Sequence, residues 1–109
     1  MLFNTQTLFN AAVTADTYSS VIEMLQMTSL SVQIVAAGTT VTYDFTLYES
    51  NDNTNWSATS TTAALAATSG TQVLCLKLVD APSRYYKVLI DKTTNNLTSC
   101  VITAHAKGV

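Results

Sequence analysis

The side chains able to do chemistry are few and lie far apart in this sequence. His105 is the only histidine, which excludes a metal site built on several histidines, and we interpret it as a packed or solvent-exposed side chain near the end of the last predicted strand. Cys75 and Cys100 lie in apolar segments with no base nearby in sequence to generate a thiolate. We expect two free buried thiols, with a disulfide between strands as the alternative.

The carboxylates are equally uninformative about catalysis. Asp44 and Glu49 are the only close pair on one predicted strand, and a solvated strand face explains both without an acid–base role. Asn51, Asp52 and Asn53 offer oxygen atoms to Ca²⁺, but only one of the three is ionised, whereas calcium sites gather several carboxylates. We interpret them as a structural turn. The sequence therefore predicts no catalytic residue, no metal ligand and no cofactor, and we expect a protein that is not an enzyme.

Charge is unusually scarce in this chain. Charged residues make up 11% of the 109 residues, against about 25% in ordinary soluble domains. None lies between Asn53 and Leu76, where Thr, Ser and Ala dominate. Freely diffusing proteins usually keep a charged surface, so this composition favours a protein covered by other protein, with an extracellular β-domain as the alternative.

Nucleic acid and membrane are not expected as partners. The net charge is −2, and the basic residues are dispersed in the sequence rather than clustered for phosphate binding: Lys77, Arg84, Lys87, Lys92 and Lys107. No apolar run reaches the roughly 18 residues of a transmembrane helix. Polar residues at positions 4–7 interrupt the N-terminus too early for a signal peptide.

Residues 41–56 carry the clearest structural pattern. Apolar and polar residues alternate, which predicts a strand with one buried face made of Val41, Tyr43, Phe45 and Leu47. The Asn- and Asp-rich segment that follows is typical of a turn, and Trp56 closes it. We predict a β-hairpin whose core anchors are Tyr43, Phe45 and Trp56, with Trp56 packed across Phe45 or Tyr43 beneath the turn.

The remaining segments extend this pattern to the whole chain. Strands are predicted near residues 20–25, 30–34, 72–79, 84–91 and 97–106, with turns at residues 37–40 and at Gly70. The turn at 37–40 would join its two neighbouring strands as a hairpin. Residues 63–67 are either a helix, because Ala and Leu are good helix formers, or a short edge strand. We predict an all-β, single-domain antiparallel β-sandwich, jelly-roll-like, with about 6–8 strands.

The first sixteen residues are weakly patterned. Leu2, Phe3, Leu8 and Phe9 do not alternate in a way that would seat all four on one sheet face. Residues 1–16 are therefore either an N-terminal arm or an edge strand of the sandwich domain, which spans residues 17–109. We expect this segment to lie at least partly against a neighbouring subunit or lattice, because an edge exposes backbone groups for strand addition.

Several short motifs resemble a known family. The motifs are Leu30-Ser31-Val32-Gln33-Ile34, Gly38-Thr39, Phe45-Thr46-Leu47, Ser50-Asn51-Asp52-Asn53-Thr54-Asn55-Trp56, Arg84-Tyr85-Tyr86-Lys87-Val88 and Ala106-Lys107-Gly108. In this order they resemble small β-sandwich virion proteins of bacteriophages and prophages, over residues 30–108. Asn53 stands where the family hairpin has Gly, a mild departure since Asn also tolerates positive φ. Discoidin-like carbohydrate-binding sandwiches share such hairpins.

The resemblance implies a structural protein of the virion. We expect it to self-associate as a dimer or trimer and to bind the capsid, with the major capsid protein as partner, in a decoration (cement) or minor capsid role. It would then be found in the virion, after assembly in the host cytoplasm. The interface candidates are Leu2, Phe3, Leu8, Phe9, Tyr48 and Tyr85. The alternative is a carbohydrate-binding or tail/fibre accessory module, with Tyr48, Trp56 and Tyr85 as the aromatic platform for a glycan.

Overall fold

The computed structural model describes residues 2–108, and that range contains seven β-strands and no helix. Strands account for 78% of the residues, all pairing is antiparallel, and the sheet curls around one core, which confirms the prediction of an all-β sandwich-like domain. The strands are β1 (Phe3–Val13), β2 (Thr17–Tyr18), β3 (Ile22–Glu23), β4 (Met27–Ser50), β5 (Ser57–Leu78), β6 (Tyr85–Thr94) and β7 (Leu97–Gly108).

Strand β4 runs through both halves of the sheet. Its residues 27–38 pair with β7, and its residues 42–50 pair with β6 on the same side. Strand β5 follows β4 along the opposite side for nearly its full length. Beyond these, β1 pairs with the far side of β7, so that β7 lies between β1 and β4, while β2 and β3 pair with β6. The inward faces of both halves share one hydrophobic core.

A bend near Gly38 joins the two halves of β4. Before it the buried residues have even numbers, such as Val32 and Ile34, and after it they have odd numbers, such as Tyr43 and Phe45. A bulge causes this change of face, because the pairing shifts register after Gly38, and Thr40 adopts a φ of 50°. The predicted turn and hairpin at residues 37–40 are therefore wrong. In sequence, a bulge and a turn both reset the alternation.

Two glycines face each other at this bend. Gly38 pairs with Gly70, which has a φ of +87° and which we had predicted to be a turn. That prediction is also wrong, since Gly70 bends the continuous strand β5 instead. A Cβ atom on Gly38 would lie 2.5 Å from Val41 Cγ1, so only glycine fits the close approach there.

Strand β5 is an edge strand of 22 residues, longer than the short edge strand that was one of our alternatives for residues 63–67. Leu65 is buried at 3% exposure and pairs with Tyr43. Burial of Leu65 and pairing with β4 outweigh the helical propensity of the alanines around it, which is worth only a few tenths of a kcal/mol per residue, about 0–0.7.

The first residues form an edge strand of their own domain. Strand β1 pairs with β7 along its length, and Leu8 and Val13 lie in the core at 3% and 1% exposure. Leu8 is the extra residue at a register shift between Thr7 and Phe9. It points inward, although the sequence around it does not alternate between apolar and polar residues. Our placement of Leu8 at an interface is therefore wrong. Phe9 is half-buried against the core, whereas Leu2 and Phe3 are exposed at 47% and 68%.

The loop after β4 is held by Asp52. Its Oδ1 accepts hydrogen bonds from the backbone N–H groups of Thr54 (2.9 Å) and Asn55 (2.8 Å) and from the Ser50 hydroxyl (2.9 Å), while Oδ2 accepts from Asn55 Nδ2 at 2.8 Å. Asn53 takes a φ of 59°. The hydrogen bonds from Asn55, then those from Thr54 and Ser50, hold the pKa of Asp52 well below its usual range. These contacts are those of a structural turn.

The Asp52→Asn variant should melt below the wild type at pH 7, by an amount that shrinks on acidification. Because the folded-state pKa is lowered, the stabilisation from ionised Asp52 is complete above the ordinary value of about 3.9 and is lost as the pH falls toward the folded-state pKa. Melting curves of both proteins from pH 7 downward measure this. A gap that stays constant with pH would contradict the prediction.

Candidate functional site: an aromatic–lysine cluster beside a polar cleft

The outer surface of the β4–β6 sheet carries a cluster of three aromatic rings around one lysine. We call Tyr18, Tyr48, Trp56 and Lys87 the outer-face cluster. Tyr48 and Lys87 lie directly opposite each other in the β4–β6 pairing, and both side chains point outward because the adjacent residues Leu47, Tyr86 and Val88 lie in the core. Strand β2 contributes Tyr18 at the sheet edge, and Trp56 immediately precedes β5.

Lys87 holds the cluster together. Its Nζ atom lies 4.0 Å from the ring centroid of Tyr18 and 4.3 Å from that of Trp56. Tyr18 and Tyr48 meet edge to face with centroids 5.5 Å apart. A cation over an aromatic face contributes about 0.5–1 kcal/mol at exposed sites. The cluster is thus an ordered aromatic surface in which the Lys87 ammonium group occupies the cation position next to the Tyr18 and Trp56 rings.

Trp56 is the largest departure from the sequence prediction. It is half-buried and belongs to the outer-face cluster, so its assignment as a core anchor is wrong. Tyr43 and Phe45 are fully buried, with stacked rings 6.3 Å apart. Trp56 follows a loop held mainly by hydrogen bonds to Asp52 and precedes Ser57, which pairs with Glu49 at the open end of β4. There the ring contacts Lys87 on the outside.

A polar cleft adjoins the cluster through Trp56. Its volume is about 380 Å³, and its lining residues are Glu49, Ser50, Asn51, Asn55, Trp56, Ser57 and Ser83. The Ser83 hydroxyl donates to Glu49 Oε1 at 2.7 Å, and the Arg84 backbone N–H donates to Asn51 Oδ1 at 3.1 Å. One aromatic face beside amides, hydroxyls and a carboxylate can stack on and hydrogen-bond a polar, hydroxyl-rich ligand.

The cluster contains only part of the predicted aromatic platform. Tyr48 and Trp56 meet through Lys87 and Tyr18, whereas Tyr85 lies beneath Arg84, whose Cζ atom is 5.3 Å from the ring. Sequence reasoning missed Tyr18 and Lys87. The outward phase of Lys87 was visible in the alternation of the β6 segment, but no pattern marks Tyr18, since β2 has only two residues.

A second groove gathers basic residues that are far apart in sequence. Lys77, His105 and Lys107 line a space of about 520 Å³ with Ser29, Leu30, Ser31, Leu78 and Val79. His105 is half-buried, and its Nδ1 lies 2.7 Å from Thr5 Oγ1. The predicted dispersal therefore does not hold for Lys77 and Lys107, because β5 and β7 flank the same part of β4.

The two cysteines are free and differ in exposure. Cys100 is fully buried, and burial raises the pKa of its thiol to about 11, which keeps it protonated and unreactive. Cys75 is exposed on β5, so the expectation of a second buried thiol is wrong. The reason is that Cys75 points to the outer face of the sheet, as does its exposed cross-strand partner Gln33, whereas Leu76 next to it points into the core.

Two further observations concern residues 2–108. Nowhere in that range do three His, Cys, Asp or Glu side chains come together as a group able to hold a metal ion. The same part of the chain has no helix of the length and hydrophobicity needed to cross a membrane.

The Trp56→Ala variant should remain folded. Its free energy of unfolding should fall by about 1 kcal/mol, mainly because the contact between Trp56 and Lys87 is lost. A fully buried Trp would cost about 3–5 kcal/mol on the same truncation. Urea unfolding, monitored by circular dichroism, distinguishes the two values. Phe45→Ala serves as the buried-aromatic control, and a loss from Trp56→Ala as large as that from Phe45→Ala would contradict the structure.

Comparison with known proteins identifies only structural relatives. No family model matches the chain, and no curated protein matches it. Among solved structures, the PBSX exported protein XepA superposes with a TM-score of 0.71 at 17% identity, over 97% of this chain but 37% of XepA. The SPBc2 prophage-derived protein YomS superposes with a TM-score of 0.61 at 11% identity, over 95% of this chain and 91% of YomS. This chain therefore shares its β-fold with prophage-derived proteins.

Proposed function

We propose that this protein is a structural component of a bacteriophage virion, without catalytic activity, that self-associates and binds the capsid in a decoration or minor capsid role. The observation that carries the proposal is the fold shared with YomS along almost the whole of both chains. YomS is described as prophage-derived, and XepA as an exported protein of PBSX. The sequence motifs independently resemble phage virion proteins.

The surface chemistry supports an assembled state. Strand β5 has 22 residues, most of them exposed, yet Lys77 is its only charged residue. Exposed strands of freely diffusing proteins usually carry charges that prevent association. A long neutral strand is instead suited to lie against protein, as in a lattice of repeated subunits.

The test is the composition of purified particles. Particles released by the phage or prophage that encodes the chain, banded on a density gradient, should contain the protein in a fixed ratio to the major capsid protein, measured by quantitative mass spectrometry. The culture supernatant freed of particles is the matched control. Recovery of the protein only in that supernatant would contradict the virion role and would favour an exported protein.

The outer-face cluster supports a second candidate, a carbohydrate-binding module. Its specific support is the position of Trp56, which lines a polar cleft outside the core. An exposed aromatic face next to hydroxyl and amide groups is the arrangement that sugar rings stack against. On a phage particle such a module would recognise a glycan at the host surface.

A glycan array probed with the whole protein tests this candidate. Specific binding that Trp56→Ala removes, while the melting temperature falls by only a few degrees, would support a glycan site. Phe3→Ala is the control, because Phe3 is 68% exposed and is not among the residues lining the cleft. The absence of binding, or equal binding by both variants, would contradict it.

A further inference from the structure

Strand β5 has one free edge. It pairs with β4 on one side, and among the strands of residues 2–108 none pairs with its other side. Every second residue of β5 directs its backbone N–H and C=O groups toward this free side, where no strand of residues 2–108 pairs with them. Such a row of unpaired groups is a template for adding another strand.

Only part of this edge is regular. Residues 70–78 pair one to one with residues 30–38 of β4, without a register shift, whereas the pairing of residues 57–68 contains shifts on both sides of the Leu65 region. Bulges distort an edge and hinder the addition of a strand. The bulge-free stretch, which we call the regular edge, is therefore the part of β5 fitted to accept another strand.

The regular edge also exposes apolar side chains. Val73 is 58% exposed and Cys75 is exposed, while Lys77 is the only charged residue in the stretch. Natural edges are usually protected by charges, proline or short length. The regular edge has nine residues, one charge and no proline. It contains three leucines, together with Thr71 and Val73, which belong to the β-branched residues enriched in strands.

We propose that the regular edge binds the regular edge of a second copy of this chain, antiparallel about a two-fold axis near Leu74 and Cys75. The inference rests on the proposed structural role and deepens it by naming the subunit contact. In this pairing Val73 and Cys75 of the two copies lie near one another, whereas each Lys77 meets a neutral residue. Two like charges would oppose each other only if the axis passed through Lys77 itself.

Charge explains why the occupant is the same chain. In an antiparallel pairing of two identical strands, a charge near the two-fold axis lies close to the same charge on the partner, whereas a charge near the end of the strand lies far from it. Lys77 lies near the end of the regular edge. The contact is isologous, so it occupies the regular edge of both copies and leaves neither free to bind a third. It therefore yields a dimer rather than a fibre. The two β4–β5 ribbons would become one continuous sheet across the axis.

Sedimentation velocity over a concentration series is the first test, with two matched lysine variants. Val73→Lys places like charges beside the axis and should raise the dimer dissociation constant about tenfold or more. Leu25→Lys makes the same chemical change at a position 67% exposed in the turn before β4 and should leave the dissociation constant unchanged. Circular dichroism checks that both variants keep the sheet.

Cross-linking locates the contact. Cys100 is fully buried, so among the described residues Cys75 is the only thiol open to a short bismaleimide. Wild-type protein at dimer-forming concentration should give a covalent dimer, and Cys75→Ser or Val73→Lys should not. Hydrogen exchange of the amides at residues 70–78 should slow on going from dilute to concentrated protein, while the exchange rates at residues 51–55 should not change with concentration.

The inference would be overturned by a monomer at all concentrations, by a dimer weakened equally by Val73→Lys and Leu25→Lys, or by a dimer without Cys75 cross-linking. A monomer whose regular edge is protected only by another virion protein would also overturn it. Each leaves the proposed virion location standing if the protein is found in purified particles, although a monomer at all concentrations would also contradict the proposed self-association. Absence from particles, with the dimer intact, would refute the role and not the contact.

Discussion

A chain that begins at Thr17 is expected to be unfolded or insoluble. The deletion removes β1, and with it Leu8 and Val13, which are 3% and 1% exposed in the core. Loss of one buried Leu side chain alone costs about 2–5 kcal/mol, and the whole domain is stable by only about 5–15 kcal/mol. The deletion also leaves one side of β7 without its hydrogen-bonding partner. Circular dichroism and one-dimensional NMR of the truncated protein measure the outcome.

A shorter deletion is the control for this experiment. A chain that begins at Asn4 loses Leu2 and Phe3, which are exposed, together with the hydrogen bond from Gly108 N–H to Leu2 O and the end of the β1–β7 pairing at Phe3. It should keep its sheet spectrum and melt within a few degrees of the wild type. If the chain that begins at Thr17 folded cooperatively and failed only to associate, residues 1–16 would be an intersubunit arm instead.

The Tyr43→Ala variant should lose at least about 3–5 kcal/mol, the cost of truncating a buried aromatic residue. Tyr43 is fully buried, and its Oη atom donates to Asn95 O at 2.9 Å and accepts from the Leu97 N–H at 3.3 Å. Val13 O also lies 3.3 Å away. One side chain therefore fastens the ends of β1, β6 and β7 to the centre of β4. Urea unfolding at pH 7 gives the free energy directly.

The Tyr43→Phe variant separates the hydroxyl from the ring. It keeps the packing but leaves Leu97 N–H and Asn95 O without this partner, at a cost of about 1–3 kcal/mol. Tyr85→Phe is the matched control, since Tyr85 is half-buried on the outer face, and it should change stability by less than about 0.5 kcal/mol. Equal losses from the two Phe variants would contradict the role of the Tyr43 hydroxyl.

Local alternation was the reliable part of the sequence. The buried set from Val41 to Leu47 was predicted residue by residue, because a one-sided strand needs no knowledge of its partners. The all-β class followed from several such segments. The Asp52 turn was also readable, since its hydrogen bonds connect residues within a few positions of each other.

Bulges, and the exposure of side chains on an uncovered face of the sheet, could not be predicted from the sequence. The shift of register near Gly38 looks in sequence like a hairpin turn, and the extra residue Leu8 in β1 hides an inward side chain in an unpatterned segment. Cys75 was predicted to be buried because its strand is apolar, but its exposure depends on whether another part of the protein covers that face of the sheet. Trp56 was assigned to the core by its size, whereas it lies outside the core against Lys87, which belongs to a strand distant in sequence. These features depend on partners far away in sequence.

The position of β7 between β1 and β4 determines when the protein can fold during synthesis. Strand β1 leaves the ribosome before the other six strands, yet within residues 2–108 it pairs with β7 alone, which is made about ninety residues later. Residues 27–38 of β4 likewise lack one neighbour until β7 appears. The nascent chain can close the β4–β5 ribbon and add β6, but β1 and its apolar residues remain unpaired until β7 has been made. Strand β7 therefore completes the sheet, and folding of the domain follows the emergence of residue 108.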